Sequence, residues 1–256
     1  MDRIERCEKT FKELFDAMPT KDEGSDPEFM RILQRFIFGE VCYVGNLDDQ
    51  VRELITVTVL SVYSALPQLT AHVKAALHVG CAPIQIREAV YQCAPFIGFP
   101  KTLNAISAMN KAFEESGINL PLENTATVDE SNRYEKGLEI QAPIYGTEIA
   151  DRYAYLPREF AEAIPTFLTE LGFGDFATRK GLDEKLRELL TLVMLVALGG
   201  AEMQVKAHAI GALKVGNTKE DILAALVHAM PYTGFPRVLN ALNAIKDVIA
   251  PNTIND

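Results

Sequence analysis

Long apolar runs are missing from this chain of 256 residues. No stretch reaches the roughly eighteen consecutive apolar residues that a membrane span needs, so no membrane partner is expected. Basic residues are in deficit: 25 Lys and Arg stand against 35 Asp and Glu, a net charge of −10. Such a field repels phosphate backbones and argues against nucleic acid as a partner. Cysteine is scarce. Cys7, Cys42, Cys81 and Cys93 form no C-x-x-C pair. In a chain of cytosolic character they are expected to be reduced and mostly buried thiols. Met1 to Met18 is charged and helical in pattern, unlike a cleavable leader, and a cytoplasmic location is expected. The four histidines have no i, i+4 His or Glu partner of ligand type, so neither a metal site nor any cofactor is expected. Alternating strand patterns are absent throughout, which leaves an all-α chain.

What is present is a duplication. Ala94-Pro-Phe-Ile-Gly-Phe-Pro-Lys-Thr-Leu-Asn-Ala returns 136 residues later as Met230-Pro-Tyr-Thr-Gly-Phe-Pro-Arg-Val-Leu-Asn-Ala. His72 aligns with His208 at the same offset, and Arg52-Glu53-Leu54 aligns with Arg187-Glu188-Leu189 at an offset of 135. Copy two has therefore gained one residue between Glu188 and His208, most simply in the Gly199-Gly200 turn. The period is too long for a solenoid unit and suits two small homologous domains that bury a shared face. The expected division is 1–117 for the first repeat with its N-terminal helices, 118–156 for a linker and 157–256 for the second repeat. The two repeats should be related by a pseudo-twofold axis.

Periodicity places helices at Met1 to Met18, after the Asp26-Pro27 start, and from Asp48 to Leu66. Leu54 to Leu66 carries no charge and reads as a buried central helix. Further helices are expected from Gln68 to His78, Ile84 to Ala94 and Lys101 to Glu115. In the second half they run from Pro157 to Leu171, Asp183 to Leu198, Glu202 to Lys214, Lys219 to Met230 and Arg237 to Ile249. Ile118 to Lys136 reads as a polar linker. Gly137 to Leu156, with Pro143, Tyr145 and Gly146, reads as an extended or turned surface segment.

Chemistry-bearing residues repeat with the helices. Each copy places an Arg-Glu pair at the start of its buried helix and a histidine on the next: Glu53 with His72, and Glu188 with His208. A carboxylate there is also what a helix N-terminus favours, so a cap or ion pair is the plainer alternative. His78 becomes Lys214 in copy two and reads as surface. His228 and Tyr232 precede the second Gly-Phe-Pro turn, where copy one has Gln92 and Phe96. Copy two is thus expected to hold the more complete site. Arg237, at a helix start where a cation is disfavoured by the dipole, either binds a carboxylate or reaches solvent. Cys81, after Gly80 and near a helix start, is the thiol best placed for activation.

The sequences Arg52 to Leu60, Ala71 to Leu77 and Ala94 to Ala105, with their counterparts Arg187 to Thr191, Ala207 to Leu213 and Pro231 to Arg237, resemble the carboxymuconolactone decarboxylase family. The resemblance covers about residues 28–116 and 163–250. It implies the all-α fold shared with alkylhydroperoxidase AhpD, and interlocked homo-oligomers. A tandem chain would resemble a built-in dimer, and three chains a hexamer-like ring. The AhpD branch uses E-x11-C-x2-C-x3-H. Copy one keeps that frame with Glu53 and His72, but Ala65 and Gln68 stand at the cysteine positions. The decarboxylase branch implies a cofactor-free enzyme acting on a small carboxylated lactone. His208 and His228 would then serve as proton donor and oxyanion partner, Glu188 would tune a histidine, and Arg237 and Tyr232 would contact the substrate. Glu53 and His72 would form a second site or contribute walls to the first. The alternatives are an AhpD-type peroxide-reducing enzyme and a non-catalytic oligomer that binds a small acid.

Overall fold

A computed structural model describes residues 1–147, 149 and 151–250. Those residues form helices and no strands. The first copy comprises α1 (Arg3–Phe15), α2 (Pro27–Gly39), α3 (Asp49–Tyr63), α4 (Leu66–His78), α5 (Pro83–Tyr91), α6 (Ala94–Ile97) and α7 (Phe99–Glu115). After α8 (Arg133–Tyr145) and α9 (Arg158–Phe167), a π-helical stretch at Leu168–Ala177 leads to α10 (Glu184–Leu198) and α11 (Glu202–Lys214). The chain closes with α12 (Lys219–Thr233), α13 (Phe235–Ala244) and α14 (Lys246–Ile249).

The central helices of the two copies start alike. Asp48 caps α3 by accepting the Val51 N–H, and Asp183 caps α10 by accepting the Leu186 N–H. Both helices are buried almost all round, as their uncharged runs demand. The hydroxyls inside α3 are satisfied by the helix itself. Thr56, Thr58 and Ser61 donate to the carbonyls four residues back, at 3.0, 2.9 and 2.8 Å. α3 packs against α10, and α12 lies on α3 as well as on α10. A single core therefore runs through both copies, from Leu54, Ile55 and Phe113 to Leu190, Met194 and Ile222. Each such side chain contributes roughly 1.5–3 kcal/mol by leaving water.

The extra residue of copy two lies where expected. Ser64 and Ala65 separate α3 from α4, whereas Gly199, Gly200 and Ala201 separate α10 from α11. Two expectations need correction. The last helix of copy two is not continuous, because α13 gives way to α14 at Ile245. The segment expected to be extended between the copies is helical over Arg133–Tyr145. α8 packs on the π-helical stretch as α1 packs on α2. The close approach is the same in both. A Cβ on Gly39 would stand 2.2 Å from the Arg3 carbonyl oxygen, and one on Gly174 would stand 2.3 Å from that of Arg133. α8 is thus the counterpart of α1. Pro143 and Gly137 obscured it in the sequence: the proline reads as a breaker, and the glycine is there because helix backbones touch.

Candidate functional site

The Glu–His pairs form in both copies, by the same device. Residues near the start of one buried helix meet the second turn of the next, which runs back alongside it. In copy one His72 Nδ1 lies 2.8 Å from Glu53 Oε2, with Glu53 only 2% exposed. In copy two His208 Nδ1 lies 3.0 Å from Glu188 Oε2. A carboxylate accepts, so in each pair the ring proton sits on Nδ1. Nε2 is left to accept a proton, or to give one when the ring is charged.

The surroundings of the two pairs differ, because each pair is completed by the opposite copy. α12 carries His228 and Tyr232 to the Glu53–His72 pair. The Tyr232 ring stands edge-on to His72 at 5.7 Å, and His228 lies 5.9 Å from Tyr232. The expectation that His228 and His208 share one site is therefore corrected: His228 bonds to Arg52, not to anything in the Glu188 pair. Arg52 donates from NH1 to His228 Nδ1 at 3.4 Å and from Nε to the Leu47 carbonyl at 3.1 Å. Arginine only donates, so Nδ1 is the acceptor and the His228 proton sits on Nε2. There it meets the Arg52 carbonyl and Thr56 Oγ1, both at 3.0 Å. Burial first, then the Arg52 charge, push His228 down to about 3. Its ring is neutral and both nitrogens are engaged. Burial, with the Glu53 charge behind it, raises the Tyr232 phenol well above its ordinary range.

Copy one brings Phe96 to the His208 ring and Gln92 to Arg187, the neighbour of Glu188. Phe96 stands edge-on to His208 at 6.0 Å. Gln92 Oε1 accepts from Arg187 NH1 at 3.2 Å. The phenol at the Glu188–His208 pair comes from α8: the Tyr145 hydroxyl donates to Glu188 Oε2 and lies 2.6 Å from His208 Nδ1. Tyr145 has one proton and gives it to the carboxylate, so its oxygen also receives from the imidazole. Burial, then the Glu188 charge, hold the phenol protonated. A Cβ on residue 211 would stand 2.7 Å from the Tyr145 hydroxyl and 3.0 Å from Glu188 Oε2, so glycine there makes the triad possible. Tyr145 is the residue that sequence reading missed. The available signal was a phenylalanine, Phe15, at the matching end of α1, edge-on to His72 at 5.7 Å.

Behind Gln92 lies a buried ionic cluster. Glu88 accepts from Arg87 at 3.0 Å, from Arg179 at 2.9 Å and from Thr125 at 2.8 Å, and Arg187 stands 3.5 Å away. These donors hold its carboxyl below the ordinary range although burial opposes them. Copy two has Ala224 at the matching place.

Arg237 does not reach either pair. Its guanidinium caps the Leu198 carbonyl at the end of α10 and lies over the Tyr63 ring at 5.9 Å. Lys101 caps the Val62 carbonyl likewise, at 3.2 Å. Cations at these helix starts thus serve the C-terminus of a neighbouring helix. The thiols are not activated. Burial pushes Cys42, Cys81 and Cys93 up to about 12, with Glu53 and Asp48 adding to the effect at Cys81. Among the described residues no cluster of three or more His, Cys, Asp or Glu could hold a metal ion, and no helix is long and apolar enough to cross a membrane.

The family profile described as the carboxymuconolactone decarboxylase family matches residues 27–111 and 162–247. A 4-carboxymuconolactone decarboxylase of Acinetobacter baylyi is 26% identical over 133 residues, half of this chain and 98% of that protein. A nitrosuccinic acid decarboxylase of Metarhizium robertsii is 29% identical over 137 residues, 53% of this chain and 92% of that protein. Each relative is therefore about as long as one of the two copies. Among solved structures, a protein of Burkholderia xenovorans described as a gamma-carboxymuconolactone decarboxylase subunit is similar in fold, with a TM-score of 0.52 at 20% identity. The match covers 97% of this chain and 98% of that one.

Proposed function

This chain belongs to the carboxymuconolactone decarboxylase family, and from that premise we propose that it is a cofactor-independent carboxy-lyase acting on a small carboxylated substrate, a lactone or an open-chain acid. The observation that carries the reading is the Glu–His pair of each copy, with Nδ1 held by a carboxylate and Nε2 free for proton transfer. The names of the two decarboxylase relatives support the reaction class.

The required chemistry is brief. The bond from carbon to the leaving carboxylate breaks, its electron pair passes into the substrate as an enolate, and CO2 departs. A proton is then delivered to carbon. An imidazolium whose Nδ1–H is held by Glu188 or Glu53 gives its Nε2 proton to the carbanionic carbon. Solvent restores the proton. Burial of the pairs strengthens the field at the developing oxyanion.

The test is spectrophotometric turnover of γ-carboxymuconolactone, then of nitrosuccinic acid, by wild type, His72→Ala and His208→Ala. Loss of about 10²–10⁴ in kcat in either variant is expected if its histidine transfers the proton. A folded wild type inert on both substrates, or full kcat kept by both variants, would overturn the reading. The assembly we propose is a trimer of tandem chains, resembling a hexamer of single copies.

A further inference from the structure

The two Glu–His sites are unequal, and the difference lies in what the opposite copy brings. At the Glu53 site His228 is spent: one nitrogen accepts from Arg52 and the other donates to Thr56 and the Arg52 carbonyl. At the Glu188 site the same position is Gln92, 5% exposed. Arginine cannot accept, so the Arg187 contact fixes which end of the amide is oxygen. The NH2 group is left on the side away from Arg187, buried and with no partner. An unpaired buried donor is costly and calls for a partner, which a bound ligand would supply. One turn further on, Phe96 stands against His208, as Tyr232 one turn beyond His228 stands against His72. Gln92 thus lies one turn before the residue that stands against the His208 ring, and its amide meets the arginine next to Glu188.

Charge points the same way. Around the Glu188 site the buried or nearly buried groups are the guanidiniums of Arg87, Arg179 and Arg187 against the carboxylates of Glu88 and Glu188. Around the Glu53 site they are Arg52 against Glu53. One site carries a surplus positive charge and the other carries none. Tyr145 has no charge to offset the surplus, because its phenol stays protonated.

We propose that the Glu188–His208 site is the one that takes the substrate, and that Gln92, supplied by copy one, binds a carboxylate oxygen of that substrate through Nε2. The assignment rests on reading the Glu–His pair as a substrate site. It makes Gln92 the residue that sets specificity for a second carboxylate and gives the duplication a purpose. One copy carries the proton-transfer group, and the other carries the anchor.

The test uses the full chain, with succinate as a dicarboxylate probe and γ-carboxymuconolactone as substrate. Gln92→Glu keeps the shape and the Arg187 contact but removes the donor; Gln92→Leu is the second variant, should the first misfold. Succinate should perturb the imidazole signals of His208 rather than His72 in 1H–15N spectra. Both variants should weaken succinate binding and raise KM by about 10-fold or more while kcat changes far less. Unchanged affinity and KM in a folded variant, or succinate signals confined to His72, would overturn the proposal. A wild type inert on the lactone whose succinate binding still depends on Gln92 would keep the subsite and sink the decarboxylase reading. Turnover with a Gln92-independent KM would do the reverse.

Discussion

Arg52 and Arg187 open equivalent helices and end bonded to different neutral groups, His228 and Gln92. The histidine has a measurable consequence. In the unfolded chain it takes up a proton near pH 6.5, but in the folded chain only near 3. Between those values the unfolded state binds more protons, so stability falls as pH drops through 6.5, by up to about 1.4 kcal/mol per unit. His228→Gln places the copy-one residue there and removes the titration. Urea unfolding at stepped pH should give a wild-type-minus-variant difference that is flat above about pH 7 and shifts against wild type from 6.5 to about 5. A pH-independent difference would mean that His228 is not buried as a neutral ring.

At the scale of elements, α8 meets α11 as α1 meets α4, and the residues at that contact distinguish copy two. Tyr145 reaches Glu188 and His208 only because residue 211 is glycine. Copy one carries the other combination at the matching places, Phe15 and Ala75. Gly211→Ala should therefore cost about 1–3 kcal/mol by forcing the hydroxyl out. Tyr145→Phe in that background should recover part of the loss, and the thermal or urea double-mutant cycle should show a coupling of about 0.5 kcal/mol or more. Additive effects would mean that the methyl and the hydroxyl do not compete. Only part of this was legible beforehand. Glu53, His72, Glu188 and His208 announce themselves because both members of each pair lie on adjacent helices of one hairpin and recur in the second copy, at offsets of 135 and 136 residues. Tyr145 sits on a helix whose proline and glycine look like a loop, far from its partners in sequence.

On the scale of the whole molecule, the two copies share one core and exchange site residues, so neither copy alone is a complete unit. The surface still carries unpartnered apolar stripes. Phe29 and Ile32 on α2, and Phe160 and Phe167 on α9, are each more than half exposed. Matching stripes on the two copies suit burial against further copies of the chain. Sedimentation should give a mass above the monomer, and Phe29→Glu with Phe160→Glu should reduce it to one chain. A wild type that sediments as a monomer at micromolar concentration would remove the proposed trimer.

The sequence by itself determined the all-α class, the duplication, the place of the extra residue and the two Glu–His pairs. All of these follow from periodicity, uncharged runs and internal alignment, which act within a copy. Tertiary structure alone decided that His228 leaves His208 for Arg52, that Gln92 meets Arg187, that Arg237 caps a helix end, and that α8 supplies a phenol. Each of these depends on which surfaces meet across the pseudo-twofold or between distant helices. That choice is made by the burial of whole helix faces, to which no short stretch of sequence is sensitive.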